Sequence, residues 1–499
     1  MLTRRLIALG GLLGASELLR RNRVPGSLLS VSAAEPIRHA VASPFVTPFM
    51  RPLAIPQVLS PVSSDESTDY YEITMREAQM EIIPGTLSTI WGYNGTYPGP
   101  TIRAKAGRRA VVKQINNLPE SMSIHLHGGH TPPEFDGHPH DLIPPGTFKN
   151  YNYPNNQLPT TLWYHDHAVD ATGRHVYLGL AGFYILSDEL EDGLALPRDS
   201  NDVPLLIQDR LFKSDGSLNY PLNDETLIEG VLGDRLLVNG VIQPYFEVAN
   251  RKMRFRILNG SNSRAYSLAL STGDPLIQIG SDGGLLAQPV LRSPINIAPG
   301  ERLDVLIDFS RYSLGSRVVL TNRFSMDFGL AEIMEFRITR DEPDEVPIPT
   351  TLRTFERIPV ESAARSRSFI LADEVVNGRR LWTIDRKLYD PLRIDASINL
   401  NDVEIWEFIN NSYSTHPMHI HDIEFQILDI NGRKPATGDD GWKDVFLVPA
   451  LGRLRVIGKF ADLTGTYVFH CHKLEHEDHA MMGQFEVRPG NPQPPTGQV

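Results

Sequence analysis

Ten of the chain's 16 histidines form five His-X-His pairs: His125/His127, His138/His140, His165/His167, His419/His421 and His470/His472. Random placement at this composition would give about one half of such a pair. On a β-strand, residues i and i+2 share a face, so each pair sets two imidazoles side by side. Neutral imidazole is a ligand for copper, zinc, iron and nickel. Four pairs lie in apolar, strand-like settings: Ser-Ile-His-Leu-His, Leu-Trp-Tyr-His-Asp-His, Pro-Met-His-Ile-His and Val-Phe-His-Cys-His. Their convergence would supply eight nitrogen ligands. His138-Pro-His140 sits in a proline-rich loop and reads as a surface feature, because proline is a poor strand residue.

The last pair brackets Cys471, the single cysteine of the chain. One cysteine excludes intramolecular disulfides and iron–sulfur sites built from several thiolates. Strand alternation sends its sulfur to the face opposite His470 and His472, so one strand can serve two sites. His476 follows five residues later and Met481 ten residues later, while His416 precedes the third pair. One thiolate, two imidazoles and a weak thioether make a blue copper centre. Met482 adjoins Met481, so spacing alone leaves the axial ligand open between them. His479 is a spare histidine, expected behind the ligands or at the surface.

These residues need strands to carry them. Runs such as Arg109–Ile115, Met253–Leu258 and Glu404–Ile409 alternate apolar and polar residues between Gly, Pro and Asn breaks, the pattern of β-sandwiches or barrels. A weak repeat recurs. Asn94-Gly95, Asn239-Gly240 and Ile384-Asp385 each precede a proline and then a strand ending at Asn116, Asn259 and Asn410, respectively. Three copies at an even step indicate three copies of one β-domain. The polar stretches from Asp188 to Pro204 and from Asp341 to Pro349 read as linkers. A net charge of -12 argues against nucleic acid as a partner. Arg4-Arg5 and the short apolar run after them are similar to a twin-arginine export signal, with Ser32-Ala33-Ala34 as a cleavage site. Glu17 and the basic residues Arg20, Arg21 and Arg23 leave a disordered basic N-terminus as the competing reading. No segment reaches the ~20 apolar residues of a membrane span.

The segments His-Leu-His-Gly, Trp-Tyr-His-Asp-His, His-Pro-Met-His-Ile-His and His-Cys-His-Lys-Leu-Glu-His-Glu-Asp-His-Ala-Met resemble, in order and spacing, the four copper motifs of multicopper oxidases. His127 to Gly137 and Leu474 to Asp478 are most similar to the bacterial laccase, spore-coat laccase and bilirubin oxidase group. The resemblance implies an all-β chain of three cupredoxin-like Greek-key β-sandwich domains. An export or disordered segment would occupy 1–44, domain 1 45–187, domain 2 188–350 and domain 3 351–499. It implies four coppers. His416, Cys471, His476 and axial Met481 would hold type 1 copper. His125 and His419 would hold type 2. His127, His165 and His472 would hold one type 3 ion, and His167, His421 and His470 the other.

The activity so implied is one-electron oxidation of a small phenol, aromatic amine or bilirubin-like pigment at the blue copper. The exposed edge of His476 is the expected docking point, and Cys471 passes electrons on to His470 or His472. Four electrons then reduce dioxygen to water at the trinuclear cluster. Glu477 resembles the family's acidic proton relay, and Asp136 an acid placed near the cluster. Asp166 is expected to face away, Trp163 and Tyr164 to pack in the core, and Lys473 to replace a usual apolar residue. A metal oxidase acting on Mn(II) or Cu(I) and a non-enzymatic copper-binding envelope protein are the alternatives. A modest 11 methionines with no Met-rich insert lowers the first, and full ligation argues against the second. Export to the periplasm, envelope or medium and a monomeric state complete the expectations.

Overall fold

The structure is a computed structural model that describes residues 42–490, apart from 343, 345, 346 and 377. The candidate export signal therefore lies outside the described residues. Six sheets pack into three two-layer sandwiches in chain order. The first contains a sheet on Thr68–Met80, Arg109–Asn116 and Phe148–Tyr153. Facing it is a sheet ordered Ile102–Lys105, Ala181–Ser187, Thr161–Asp166, Ile124–His127. The third contains a six-stranded sheet centred on Val403–Asn410. Its partner sheet is ordered Ala396–Asn399, Met482–Arg488, Gly465–Cys471, His416–Ile420, Val445–Val448. Alternation drives this layering: in Arg109–Asn116 the residues Ala110, Val112, Gln114 and Asn116 point inward, and the residues between them do not. Each sandwich has its own core, around Tyr71, Val112 and Tyr164 in the first, Phe255, Val305 and Phe336 in the second, and Trp406, Phe408 and Phe469 in the third.

The sequence repeat has a physical cause. Asn94-Gly95, Asn239-Gly240 and Asp385-Arg386 are two-residue hairpin turns with both residues at positive φ, between 50° and 76°. Such turns match the twist of the flanking strands and favour Asn, Asp and Gly. In each copy the turn side chain also accepts a backbone N–H from a neighbouring strand: Thr74 to Asn94 at 2.9 Å, Leu206 to Asn239 at 2.8 Å and Ile370 to Asp385 at 2.8 Å. The strand-end asparagines repeat as closely. Asn116, Asn259 and Asn410 each accept from the N–H two residues on and each donate to two carbonyls, one of them distant in sequence. In all three sandwiches the strand ending at that asparagine pairs in parallel with an earlier strand, which places a crossover at the same point.

The reading of 188–204 as a plain linker is corrected. Asp188 caps the short helix Glu189–Gly193, and the strand Asp202–Arg210 already contains Pro204. Glu191 is buried between Arg254 and Arg256, at 2.8 and 3.0 Å, so this segment is fastened to the second sandwich by charge. No helix among the described residues is long and apolar enough to cross a membrane.

Asn259→Ala should strand two buried backbone groups, the Ser261 N–H and the Ile297 carbonyl, and the half-buried Arg264 carbonyl. A loss of roughly 2–4 kcal/mol is expected, read as a lower urea midpoint by circular dichroism. A wild-type midpoint would show that water replaces the amide.

Candidate metal centre

Two strand pairs bring the four pairs of histidines together. Ile124–His127 runs antiparallel to Thr161–Asp166, with His125 opposite His165. His416–Ile420 runs antiparallel to Gly465–Cys471, with His419 opposite His470 and Met418 opposite Cys471. The two edges meet so that His125 stacks on His421 at 3.8 Å and His127 on His419 at 3.7 Å between ring centroids. All eight imidazoles are buried. The groups His125/His127/His165, His125/His419/His421 and His167/His421/His470 each have ligand nitrogens within 4.8 Å of one another. Gly300 of the second sandwich, at φ +83°, packs on the His472 ring, where a Cβ would stand 3.0 Å from it.

The hydrogen bonds behind the rings test whether a cation fits. The Nδ1–H of His125, His165, His419 and His470 donates to the carbonyls of Asp136, Asp166, Asp444 and Cys471, at 2.6, 2.8, 3.0 and 3.2 Å. His421 Nδ1 donates to Asp136 Oδ2 at 2.7 Å. In these five rings the Nε2 lone pair is therefore free and aimed inward. Nε2 of His125 and His419 stand 3.3 Å apart, and those of His421 and His470 likewise 3.3 Å, with no proton left to lie between them. Lone pairs held face to face repel, and a cation between them removes the repulsion. His127 is reversed: its Nε2 donates to Asp444 Oδ1 at 3.1 Å, and its buried Nδ1 has no partner. His165 Nε2 and both ring nitrogens of His472 are also buried without one. Burial is the leading cause that depresses these imidazoles, and repulsion between neighbouring rings adds to it. His127, His165, His419 and His421 fall well below the ordinary range, and His167 and His472 come down to about 3. Rings kept neutral offer lone pairs to metal.

On the other face of the Gly465–Cys471 strand, Cys471 Sγ lies 3.5 Å from Nδ1 of both His416 and His476. His476 Nε2 donates to the Ile228 carbonyl at 2.9 Å, and His416 Nε2 meets Ser412 Oγ at 3.2 Å, so both Nδ1 atoms turn toward the sulfur. Burial pushes the free thiol up to about 12, so a metal bound as thiolate must displace its proton. Met481 is fully buried in the same core as Cys471, whereas Met482 pairs across the ladder with His470. The expectation of an exposed His476 edge is corrected. His476 has no accessible surface, because Ile228 and the helix Asp224–Glu229 of the second sandwich cover it.

Asp136 is buried and braces two rings, His125 through its carbonyl and His421 through its carboxylate. Glu477 is buried, with Oε2 3.1 Å from His470 Nδ1 and Oε1 3.6 Å from His167 Nδ1, at angles that leave both oxygens without a directed hydrogen bond. Burial raises its carboxyl, but the adjoining imidazoles outweigh that and hold it well below the usual range. Asp166 turns away, accepting from Ser123 and Ala168 N–H and pairing with His175 at 2.7 Å. Tyr164 and Trp163 are buried, and Trp163 also stacks on His165 at 4.2 Å. Lys473 is buried and donates to Ser414 Oγ at 2.8 Å. His138 meets Gln484 rather than the cage, and His479 accepts no role beyond a 2.8 Å bond to the Glu475 carbonyl.

Sequence reasoning missed Asp444, which fixes His127 and His419. Its own oxygens are held by Arg302 at 2.5 and 2.6 Å, and burial, opposed by Arg302, pushes its carboxyl up to about 6. Trp382, which packs against His416 at 4.6 Å and His476 at 5.0 Å between ring centroids, was missed too. Neither lies in a motif, so no local signal marks them.

Three β-sandwiches with a histidine cage between the first and third, beside a Cys–His–His site, define a copper-binding all-β protein. Residues 74–191 and 367–491 each match a multicopper oxidase family. A laccase of Bacillus subtilis is 37% identical, the match covering 86% of this chain and 96% of that protein. A bilirubin oxidase of Albifimbria verrucaria is 35% identical, covering 86% and 78%. A crystal structure of a laccase from Pediococcus acidilactici superposes with a TM-score of 0.82 at 33% identity, covering 90% and 95%. The chain belongs to the multicopper oxidase family, whose cofactor is four copper ions of types 1, 2 and 3.

Asp444→Ala should weaken copper retention about 10–100-fold, as loss of a residue bracing metal ligands does. Metal analysis after dialysis against a chelator measures it. Full retention would show that the His127 and His419 rings hold their places without Asp444.

Proposed function

We propose that the protein is a laccase-like oxidase, with His416, Cys471, His476 and Met481 holding type 1 copper and His125 and His419 holding type 2. His127, His165 and His472 would hold one type 3 ion, and His167, His421 and His470 the other. The observation that carries this assignment is the set of inward lone pairs fixed by hydrogen bonds behind the rings. The pairing of Met481 with the Cys471 core supports it over Met482 as the axial thioether. Copper supplies a one-electron couple at the thiolate site and reduction of dioxygen to water within the cage. The rest is done by the chain. Cys471 shares backbone with His470 and His472, so the two sites are joined covalently on opposite faces of one strand. Asp136 orients two rings. Glu477, an ionised carboxylate beside His470 and His167, would accept protons arriving from outside and pass them on where oxygen reduction consumes them. Phenols, aromatic amines and bilirubin-like pigments are the donors this reading favours, in line with relatives named laccase and bilirubin oxidase. Domain boundaries near 187/188 and 350/351, export, and a monomeric state belong to the same reading.

Copper loading should give an intense blue absorption and type 1 and type 2 paramagnetic signals. Cys471→Ser should abolish the blue band while type 2 copper stays. A colourless, fully loaded wild type would remove the assignment. Glu477→Gln, which keeps the shape but not the carboxylate, should slow oxygen uptake about 10²-fold. Anaerobic bleaching of the blue band should keep its rate in that variant. Unchanged oxygen uptake would take the proton role from Glu477.

A further inference from the structure

We propose that Trp382 is the buried ring through which electrons from an external donor reach the Cys471 site. The inference rests on the type 1 assignment above. His416, Cys471, His476 and Met481 all have no accessible surface, so no donor touches a ligand directly. The Nε2 edge of His476 is occupied by the Ile228 carbonyl, behind which the helix Asp224–Glu229 lies. That same carbonyl accepts from Trp382 Nε1 at 3.0 Å. Indole and imidazole are thus fixed to one acceptor, with ring centroids 5.0 Å apart and planes 31° from parallel. The indole also meets His416 edge-on, at 4.6 Å and 72°. The indole thus touches both imidazoles that turn toward the sulfur, one by its face and one edge-on.

Outward, Trp382 lies in the strand Arg379–Ile384, whose first two residues are exposed. The Arg380 guanidinium stands 5.9 Å from the indole centroid, and Arg379 pairs with Asp224 of the covering helix at 3.2 Å. Trp382 is itself buried, so a donor resting on the Arg379–Arg380 rim stays outside the indole, and the ring lies between that rim and the imidazoles. One electron leaves the donor and reduces cupric to cuprous copper. An oxidised phenol releases its proton to water, and the indole ends unchanged. Trp382 is a positioning residue for electron transfer and forms no bond to substrate.

The test is anaerobic stopped-flow bleaching of the copper-loaded, full-length protein by hydroquinone, in wild type, W382F, W382L and W382M. The blue band and the reduction potential of each variant are recorded beside it. Expected are a wild-type band and potential throughout, bleaching within threefold of wild type for W382F, and bleaching at least tenfold slower for W382L and W382M. A packing role would not separate the aromatic from the aliphatic variants at constant potential. Wild-type rates in both aliphatic variants would overturn the inference, and faster rates would make the indole a plug. Loss of the blue band in both would make Trp382 a support of the site and would likewise overturn it. A wild type with no blue band would instead sink the type 1 assignment itself.

Discussion

Imidazoles packed ring against ring repel one another once their lone pairs face inward, and the first and third sandwiches impose that arrangement. His125 and His419 bring Nε2 to Nε2 with their Nδ1 protons committed to backbone carbonyls, so no shift of tautomer relieves the contact without breaking those bonds. Burial keeps most of these rings neutral, which removes net charge but leaves the dipoles opposed. A cation at the centre resolves the conflict. The rest of the molecule can be understood as what holds the rings in this arrangement.

Much of that holding comes from outside the ligand motifs. Asp444 links His127 and His419 to Arg302 of the second sandwich, and Asp136 of the first sandwich reaches His421 of the third. The second sandwich carries no candidate ligand, yet it supplies Arg302, the Gly300 surface under His472, and Ile228 over His476. Copper binding and docking of the three sandwiches are therefore one problem, because these braces, from Asp444 to His127, from Asp136 to His421 and from Ile228 to His476, cross boundaries between sandwiches.

The covering of His476 changes how the thiolate site meets its donors. A buried site excludes water and keeps a rigid geometry, and electrons must then cross protein rather than pass by direct contact. The carbonyl of Ile228, shared by His476 and Trp382, sets the distance of that crossing.

The ligand types and the division of labour on the last strand were legible in the sequence. They depend on the two-residue period of a strand, which no packing alters: His470 and His472 on one face, Cys471 on the other. The three-fold repeat was legible for a similar reason, since positive φ at Asn94, Asn239 and Asp385 restricts residue type locally. The segment 188–204 misled because one charged side chain, Glu191, is paid for by arginines more than 60 residues away. Asp444, Arg302 and Trp382 left no trace for the same reason: an aspartate, an arginine and a tryptophan are ordinary residues until folding brings them against a ring. Sequence determined which atoms could bind copper. Tertiary structure decided which nitrogen of each ring faces inward, and that His476 is closed to solvent, because both depend on partners that only the packing of three sandwiches brings within 3 Å or so.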